Sequence, residues 1–219
     1  MKKIIPILLI ICICFSLGGC SSEEKSTVIH GREQVEKLRA EAANWESGRY
    51  LFTDLYTGET NQVFSFMNNS DGSQTYLYEQ VIDGIYYAEY NDGTMMYRID
   101  GDTISIINEE NTEFVSYSKD SPHPYATGNL LFYVKEYISS SEEIPLEQNA
   151  VSYEHYYDTA GMNQAIGTNL SEFTVSYTFD SEGNFLYFTQ SSFDGESRSA
   201  YMIETVDMNS VTELENPVG

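Results

Sequence analysis

Apolar and polar residues alternate with a period of two over most of this chain, a pattern that predicts β-strands. The clearest stretch is residues 173–179, in which Phe, Val, Tyr and Phe alternate with Thr and Ser. Turn sequences such as Asp83-Gly84 recur along the chain, and their Gly accepts the positive φ of a tight hairpin, so consecutive strands are expected to pair as an antiparallel meander. We predict strands at residues 49–57, 62–68, 74–81, 85–90, 94–99, 103–108, 114–118, 151–157, 173–179, 185–193 and 197–206.

Two segments follow a helical period instead. In residues 32–46, apolar residues at spacings of three and four form one stripe that ends at Trp45. The second helix is predicted at residues 126–138, and its stripe includes Leu131. Two further stretches show neither period: the acidic, Ser-rich residues 139–149, which predict a surface connection, and the small-residue segment 158–171.

The predicted sheet has apolar residues on both faces of several strands. Leu51 opposes Tyr50 and Phe52, and Leu77 opposes Tyr76. A sheet with one dry face would alternate more cleanly, and a long antiparallel meander tends to curl. We therefore expect a mainly β (α+β) protein, with a curled antiparallel sheet of eleven strands whose concave face is covered by the N-terminal and mid-chain helices.

The N-terminus carries the features of an export signal. Lys2 and Lys3 precede the charge-free apolar residues 4–17, and such a helix spans about 21 Å, against the roughly 30 Å of bilayer hydrocarbon. The run ends in Leu17-Gly18-Gly19-Cys20, which resembles the lipobox of bacterial lipoproteins, in which the Cys receives a diacylglyceryl group. We predict a signal peptide at residues 1–19, a lipidated Cys20 with a flexible tether over residues 20–31, and one β-rich domain over residues 32–219.

Cysteine usage agrees with a lipid anchor. Cys12 and Cys14 lie in the predicted leader, so the mature chain keeps only Cys20 and can form no internal disulfide. Two acyl chains are enough for stable membrane attachment. We therefore expect an exported protein, anchored through Cys20 to the outer face of a bacterial cell membrane. The alternatives are an ordinary secretory signal or a short uncleaved anchor.

Charge excludes one class of partner. The chain has 219 residues, with 34 Asp and Glu against 11 Lys and Arg. Loss of Lys2 and Lys3 with the leader would leave 9 basic residues and a net charge of −25. Such a surface repels phosphate, so nucleic acid is excluded as a partner. The length suits one folded domain, which we expect to be monomeric.

The layout resembles that of bacterial lipoprotein carriers and related cell-envelope lipoproteins. The resemblance rests on a lipobox, a leading helix, a long meander, a mid-chain helix and three closing strands, over residues 32–206. It implies an incomplete β-barrel that holds a lipid or acyl chain in its apolar concavity. A lipid anchor would prevent the protein from shuttling between membranes, and the anchor therefore favours a fixed receptor or sensor. The candidate ligand-binding residues are Trp45, Tyr76, Tyr86, Leu131 and Tyr177.

The sequence offers little catalytic chemistry. It has no Gly-x-Ser-x-Gly motif, and His30, His123 and His155 are scattered, without zinc-ligand spacing. His123 lies between two prolines, which favours a surface-loop position. The alternating acidic and amide residues at 180–184 resemble the start of a calcium loop, but fit a hairpin turn better. We therefore expect no enzyme, cofactor or metal site, with an envelope hydrolase as the least favoured alternative.

The 18 tyrosines are the unusual resource of this sequence. An aromatic ring with a polar tip suits an amphipathic ligand, a glycan or a protein partner. Tyrosine is also simply a good residue for half-buried strands. The alternative function is therefore a surface interaction module that binds an envelope protein or glycan through Tyr-rich strands, without an internal ligand.

Overall fold

The computed structural model describes residues 28–126 and 135–218. The chain divides into two compact units, which are described separately. Unit 1 takes in the residues up to Glu36 and residues 129–200, and unit 2 takes in residues 37–128 and 201–219. Cys20, Leu131 and most of the predicted mid-chain helix lie outside the described residues.

The described residues form two α-helices and eleven strands. The helices are α1 (Arg32–Ala42) and α2 (Thr159–Ile166). The strands are β1 (Ser47–Asp54), β2 (Thr60–Asn68), β3 (Gln74–Ile82), β4 (Ile85–Asn91), β5 (Met95–Asp100), β6 (Thr103–Asn108), β7 (Ile138–Pro145), β8 (Val151–Tyr157), β9 (Glu172–Phe179), β10 (Phe185–Phe193) and β11 (Arg198–Val206). Their order in the sheet is β6-β5-β4-β3-β2-β1-β11-β10-β9-β8-β7, which is open at both ends. Neighbouring strands pair antiparallel from β6 through β1 to β11, and again from β10 to β7.

Unit 2 is an antiparallel meander from β1 to β6, completed by the C-terminal part of β11 beside β1. The Asp83-Gly84 turn joins β3 to β4, with φ of 52° and 77° at its two residues, as a two-residue hairpin of this type requires. The strand register places Tyr50 opposite Phe64, and Phe66 opposite Tyr76. One face of this sheet is therefore lined with aromatic side chains.

The other face of unit 2 is covered by the residues that follow β11, 207–218, which we call the C-terminal segment. Val211 and Leu214 are buried against Tyr90, and Met67, Leu77 and Tyr97 pack around them. The sequence pattern showed that both faces carry apolar residues, but it did not identify this segment as the cover.

Unit 1 has one apolar and one polar face. Alternate residues of β8, β9 and β10 bury Tyr153, Val175, Tyr177 and Phe188 on one face. The opposite face carries hydroxyl side chains that hydrogen-bond to each other across the strands, as in the pair formed by Ser176 and Thr189, whose oxygens are 2.6 Å apart. The alternation predicted for residues 173–179 is confirmed.

The eleven predicted strands and the eleven observed strands are not the same set. Residues 114–118 form no strand; within them only Ser118 makes an isolated bridge, to Ser73. The predicted surface connection at 139–149 instead contains most of β7, an edge strand whose Ser and Glu residues conceal its pattern. The helix predicted over 32–46 ends earlier, at Ala42.

Helix α2 lies in the segment that had no assignable pattern. The Asp158 carboxylate accepts the N–H groups of Ala160 and Gly161 at its start. Gly167 ends the helix with φ of 70°. These are ordinary capping residues, and the short helix between them has too few apolar residues to show a stripe. The predicted helix end at Ile138 is wrong, because a single 3₁₀ turn at Lys135–Tyr137 leads directly into β7.

Candidate functional site

The candidate site is the aromatic face of unit 2, defined by Tyr50, Phe52, Phe64, Phe66 and Tyr76. All five side chains are buried. Ring centroids are 6.1 Å apart between Tyr50 and Phe66 and 5.9 Å apart between Phe64 and Tyr76. Because residues at alternate positions of adjacent strands share a face, the β1–β2–β3 register brings these rings into one continuous apolar surface.

His123 lies against this aromatic face. Its ring centroid is 4.7 Å from that of Phe64, 4.6 Å from Tyr76, 4.8 Å from Tyr117 and 5.3 Å from Tyr125. We call these five residues the His123 cluster. The expectation that His123 is a surface-loop residue is therefore wrong: its segment is irregular, but the imidazole packs against the rings of Phe64 and Tyr76.

Two hydrogen bonds fix the orientation of His123. Its backbone N–H donates to Oε1 of the buried Gln74 at 2.7 Å. The Tyr125 backbone N–H donates to His123 Nδ1 at 3.2 Å, which leaves the proton of the neutral ring on Nε2. Burial lowers the pKa of His123 from 6.5 to about 4, so the ring is uncharged at neutral pH and acts as one more flat apolar surface.

A chain of polar groups borders the cluster. The Tyr76 hydroxyl donates to Glu89 Oε1 at 2.5 Å, and Arg98 Nε donates to Glu89 Oε2 at 2.7 Å. Arg98 also donates to Glu113 Oε2 at 2.8 Å. Burial first, and then the neighbouring Glu89 carboxylate, raise the pKa of Tyr76, so its phenol stays protonated. The aromatic face thus ends at the Tyr76 hydroxyl, whose hydrogen bond is already made within the protein.

The structure brings together only some of the sequence-predicted site residues. Trp45 lies 6.2 Å from Tyr50 between ring centroids, and so joins the face that carries Tyr76. Tyr86 lies on the opposite face of β4, where its hydroxyl donates to Glu79. Tyr177 is buried in unit 1, 5.2 Å from Phe188 between ring centroids.

Most residues of the His123 cluster were not predictable from a local pattern. Phe64 was not singled out, although the period-two pattern of β2 places it on the buried face. Tyr117, His123 and Tyr125 lie outside regular strands, where no periodicity reveals which side chains turn inward. The local signal was the concentration of aromatic rings around two prolines, at residues 117–125.

Unit 1 repeats this association of histidine with aromatic rings. His155 is only 3% exposed, and its ring lies 5.5 Å from that of Tyr177. Its Nε2–H donates to the His30 carbonyl at 2.9 Å, and burial lowers its pKa. The Gln34 amide donates to the Tyr153 hydroxyl at 3.2 Å. The residues just before α1 and its first turn therefore contact the apolar face of unit 1.

Three further observations concern the calcium-loop resemblance, other metal sites and membrane-spanning helices. At residues 180–184, Asp180 Oδ1 accepts the backbone N–H groups of Glu182 and Asn184 at 2.9 and 2.8 Å, which is hairpin-turn geometry. Within residues 28–126 and 135–218, no three His, Cys, Asp or Glu side chains are grouped to hold a metal ion. None of the helices in these ranges is long and apolar enough to cross a bilayer.

Comparisons with known proteins reveal similarity of structure only. No family model matches the sequence, and no curated protein matches it. LprF from Mycobacterium bovis is 9% identical, with a TM-score of 0.52, and the match covers 88% of this chain and 99% of LprF. The lipoprotein LppX from Mycobacterium tuberculosis is 9% identical, with a TM-score of 0.36, over 83% of this chain and 97% of LppX.

The similarity to LprF confirms the predicted fold class, an incomplete β-barrel. It also confirms, at the level of fold, the predicted resemblance to the lipoprotein-carrier group. The protein therefore belongs to a class of mainly β folds with an open antiparallel sheet.

Proposed function

We propose that this protein is a membrane-anchored, extracytoplasmic lipoprotein that binds a hydrophobic or amphipathic ligand, a lipid or acyl chain, against its apolar sheet face. The observation that carries the proposal is the continuous aromatic face of unit 2, extended by Trp45 and by the His123 cluster. The fold shared with LprF supports an open sheet as the scaffold.

The charges near this face favour an uncharged chain as the bound group. Arg98 is paired with two glutamates, and Lys119 is paired with Glu46. Forming a new ion pair with an anionic ligand would require breaking an existing one, which offsets most of the gain. An acyl chain needs no such exchange, since burying its methylene groups contributes about 0.8 kcal/mol each.

The partly exposed rings at the border of the face suit contact with a ligand best. Trp45 and Tyr125 are half-buried, whereas Tyr50 and Phe64 are buried completely. The Tyr125 ring lies 5.3 Å from that of Phe64 and 6.3 Å from that of Phe52. An acyl chain packed against Tyr125 would therefore extend the existing aromatic surface, and Trp45 would report its arrival.

Binding of a fluorescent acyl analogue tests the proposal. In a chain that begins at Thr27, saturable binding is expected to change the emission of Trp45, the single tryptophan. Tyr125→Ala is expected to weaken binding by about tenfold. The matched control is Tyr86→Ala, which removes a half-buried tyrosine from the opposite face and should leave affinity unchanged.

Unfolding by urea, measured on both variants, separates loss of a contact from loss of the fold. Weaker binding without a matching loss of stability would support the proposal. Absence of saturable binding, an unchanged Trp45 signal and no lipid in mass spectra of the purified protein would together contradict it.

A surface interaction module is the second candidate function. It is favoured by tyrosines on the strands that are only half-buried, among them Tyr86, Tyr87, Tyr156 and Tyr187. Binding of a protein or glycan that Tyr86→Ala reduces and Tyr125→Ala does not would favour this module over the lipid-binding function.

A further inference from the structure

Strand β6 ends the sheet of unit 2 with an open edge. It pairs with β5 from Asp100 opposite Thr103 to Met95 opposite Asn108. The two-residue loop Gly101-Asp102 makes its flanking residues, Asp100 and Thr103, a hydrogen-bonded pair. Residues bonded to β5 and residues that point outward alternate along β6, so the backbone groups of Ile104 and Ile106 point away from β5. Among the described residues, no segment makes hydrogen bonds to that outer side of residues 103–107.

This edge lacks the features that usually protect exposed strands. It has no proline, no charged residue and no bulge, all of which discourage added strands. Ile104 and Ile106 are 52% and 59% exposed and share one face, while Ile107 is buried on the other. The edge therefore offers both backbone hydrogen bonds and an apolar side-chain surface.

Strand β7, at the other end of the strand order, is protected in the usual ways. It carries Glu142, Glu143 and Pro145, and its register shifts after Ile138. Its Ser141 hydroxyl accepts the His30 backbone N–H at 2.8 Å and donates to the Val28 carbonyl at 3.1 Å. The contrast shows that the open character of β6 is a property of that strand and not of both edges.

Charge decides which strand fits beside β6. Asp100 and Asp102 precede the strand, and Glu109 and Glu110 follow it. If two copies paired antiparallel through the outward-pointing backbone groups of β6, with Ile104 of each opposite Asn108 of the other, Asp102 would face Glu110. Like charges directly opposite destabilise a strand pair, so a second copy is a poor occupant.

We propose that β6 binds an extended segment of a partner protein by strand addition. The segment carries β-branched or apolar side chains at alternate positions and Lys or Arg at both ends. Its backbone pairs with Ile104 and Ile106, its apolar side chains contact theirs, and its basic ends lie near the acidic residues that flank β6. Main-chain pairing gives affinity in this mode of recognition, and the side chains give specificity.

A designed peptide tests this proposal on the full-length protein in phosphatidylcholine nanodiscs. The probe is a labelled eight-residue peptide with Lys at both ends and alternating Val and Thr between, and binding is measured by fluorescence anisotropy. Saturable binding is expected. Ile106→Pro should weaken it at least tenfold, because it removes an outward N–H while an edge position tolerates proline.

Three controls separate strand addition from attraction to an acidic surface. A peptide of equal charge with proline at its two central positions, and one with Glu at both ends, should each bind at least tenfold more weakly. Val81→Thr, at a comparably exposed residue of the interior strand β3, should leave binding unchanged. Circular dichroism checks that each variant is folded.

Two results would overturn the proposal. One is equal binding of the Lys-ended and proline-containing peptides, or equal binding by the Ile106→Pro variant. The other is a concentration-dependent dimer in sedimentation that Ile106→Pro abolishes, which would make a second copy the occupant. Failure of acyl binding would not affect this result, since β6 is not part of the aromatic face.

Discussion

His123 is the residue at which local sequence and tertiary structure differ most. Its two flanking prolines indicate an irregular segment correctly, but they do not indicate the direction of the side chain. The direction is set by the rings of Phe64 and Tyr76, which come from strands 47 or more residues earlier in the chain. Such a contact has no local pattern, so the sequence could not predict it.

Burial of His123 makes stability depend on pH in a defined direction. Its pKa is about 4 in the folded protein and 6.5 when free, so the unfolded chain takes up the proton first as the pH falls. The contribution is fully present above pH 6.5, declines as the pH falls to 4, and is constant below that. We expect this residue alone to cost about 2 kcal/mol between pH 7 and pH 5.

Urea unfolding at the two pH values checks this expectation. In His123→Phe the decrease in the free energy of unfolding should be smaller by about that amount. Equal decreases in the two proteins would show that His123 is accessible to protons in the folded state.

At the scale of elements, the sequence predicted strands in which apolar residues alternate with polar ones, as in β6 and β9, and missed β7, in which they do not. The strand predicted at 173–179 corresponds to β9, whose alternate residues are buried. Strand β7 has no buried residue, so its composition resembled that of a loop. Residues 114–118 have the composition of a strand but leave the sheet after an acidic turn. The pattern therefore identified a strand only where apolar residues occupied alternate positions.

The C-terminal segment behaves as an element although it has no regular secondary structure. Leu214 is 9% exposed, packs with Tyr90 and Val211, and receives the Tyr90 hydroxyl on its carbonyl at 3.5 Å. Leu214→Ala is expected to lower the free energy of unfolding by about 2–3 kcal/mol, because it leaves a cavity under the sheet. The measurement is urea unfolding monitored by Trp45 fluorescence.

Leu146→Ala provides the control for this prediction. Leu146 is 38% exposed, so the same change of side chain should cost less than about 1 kcal/mol. If the two substitutions had the same effect, the C-terminal segment would not be a stable cover of the sheet in solution.

At the scale of the whole molecule, the proposed attachment to a membrane rests on a single residue. The mature chain would carry a charge of −25, and anionic lipid surfaces repel such a protein. No second apolar anchor accompanies the lipobox in the sequence. The fold class was predictable at this scale because alternation and turn sequences are local. The placement of the rings in the aromatic face and in the His123 cluster was not, because it depends on strand register and on contacts between distant segments.

Cys20→Ala is expected to release nearly all of the protein from membranes. The residual attraction of the chain to the bilayer is too weak to retain it without two acyl chains. Fractionation followed by a high-salt wash measures the distribution, with Ser21→Ala as the control that keeps the anchor. Retention of the Cys20→Ala variant in the membrane fraction would mean that another segment holds the protein there.

The pairing of β1 with β11 has a consequence for the order of events when the protein is made. Residues 49–54 of the first strand find their partners at residues 201–206, close to the end of the chain. At a synthesis rate of about 5–20 residues per second, β1 waits roughly 7–30 s for that partner. Contacts so distant in sequence also form slowly once both strands exist. If the protein is exported as we propose, its sheet is therefore completed only after β11 has passed through the translocation channel.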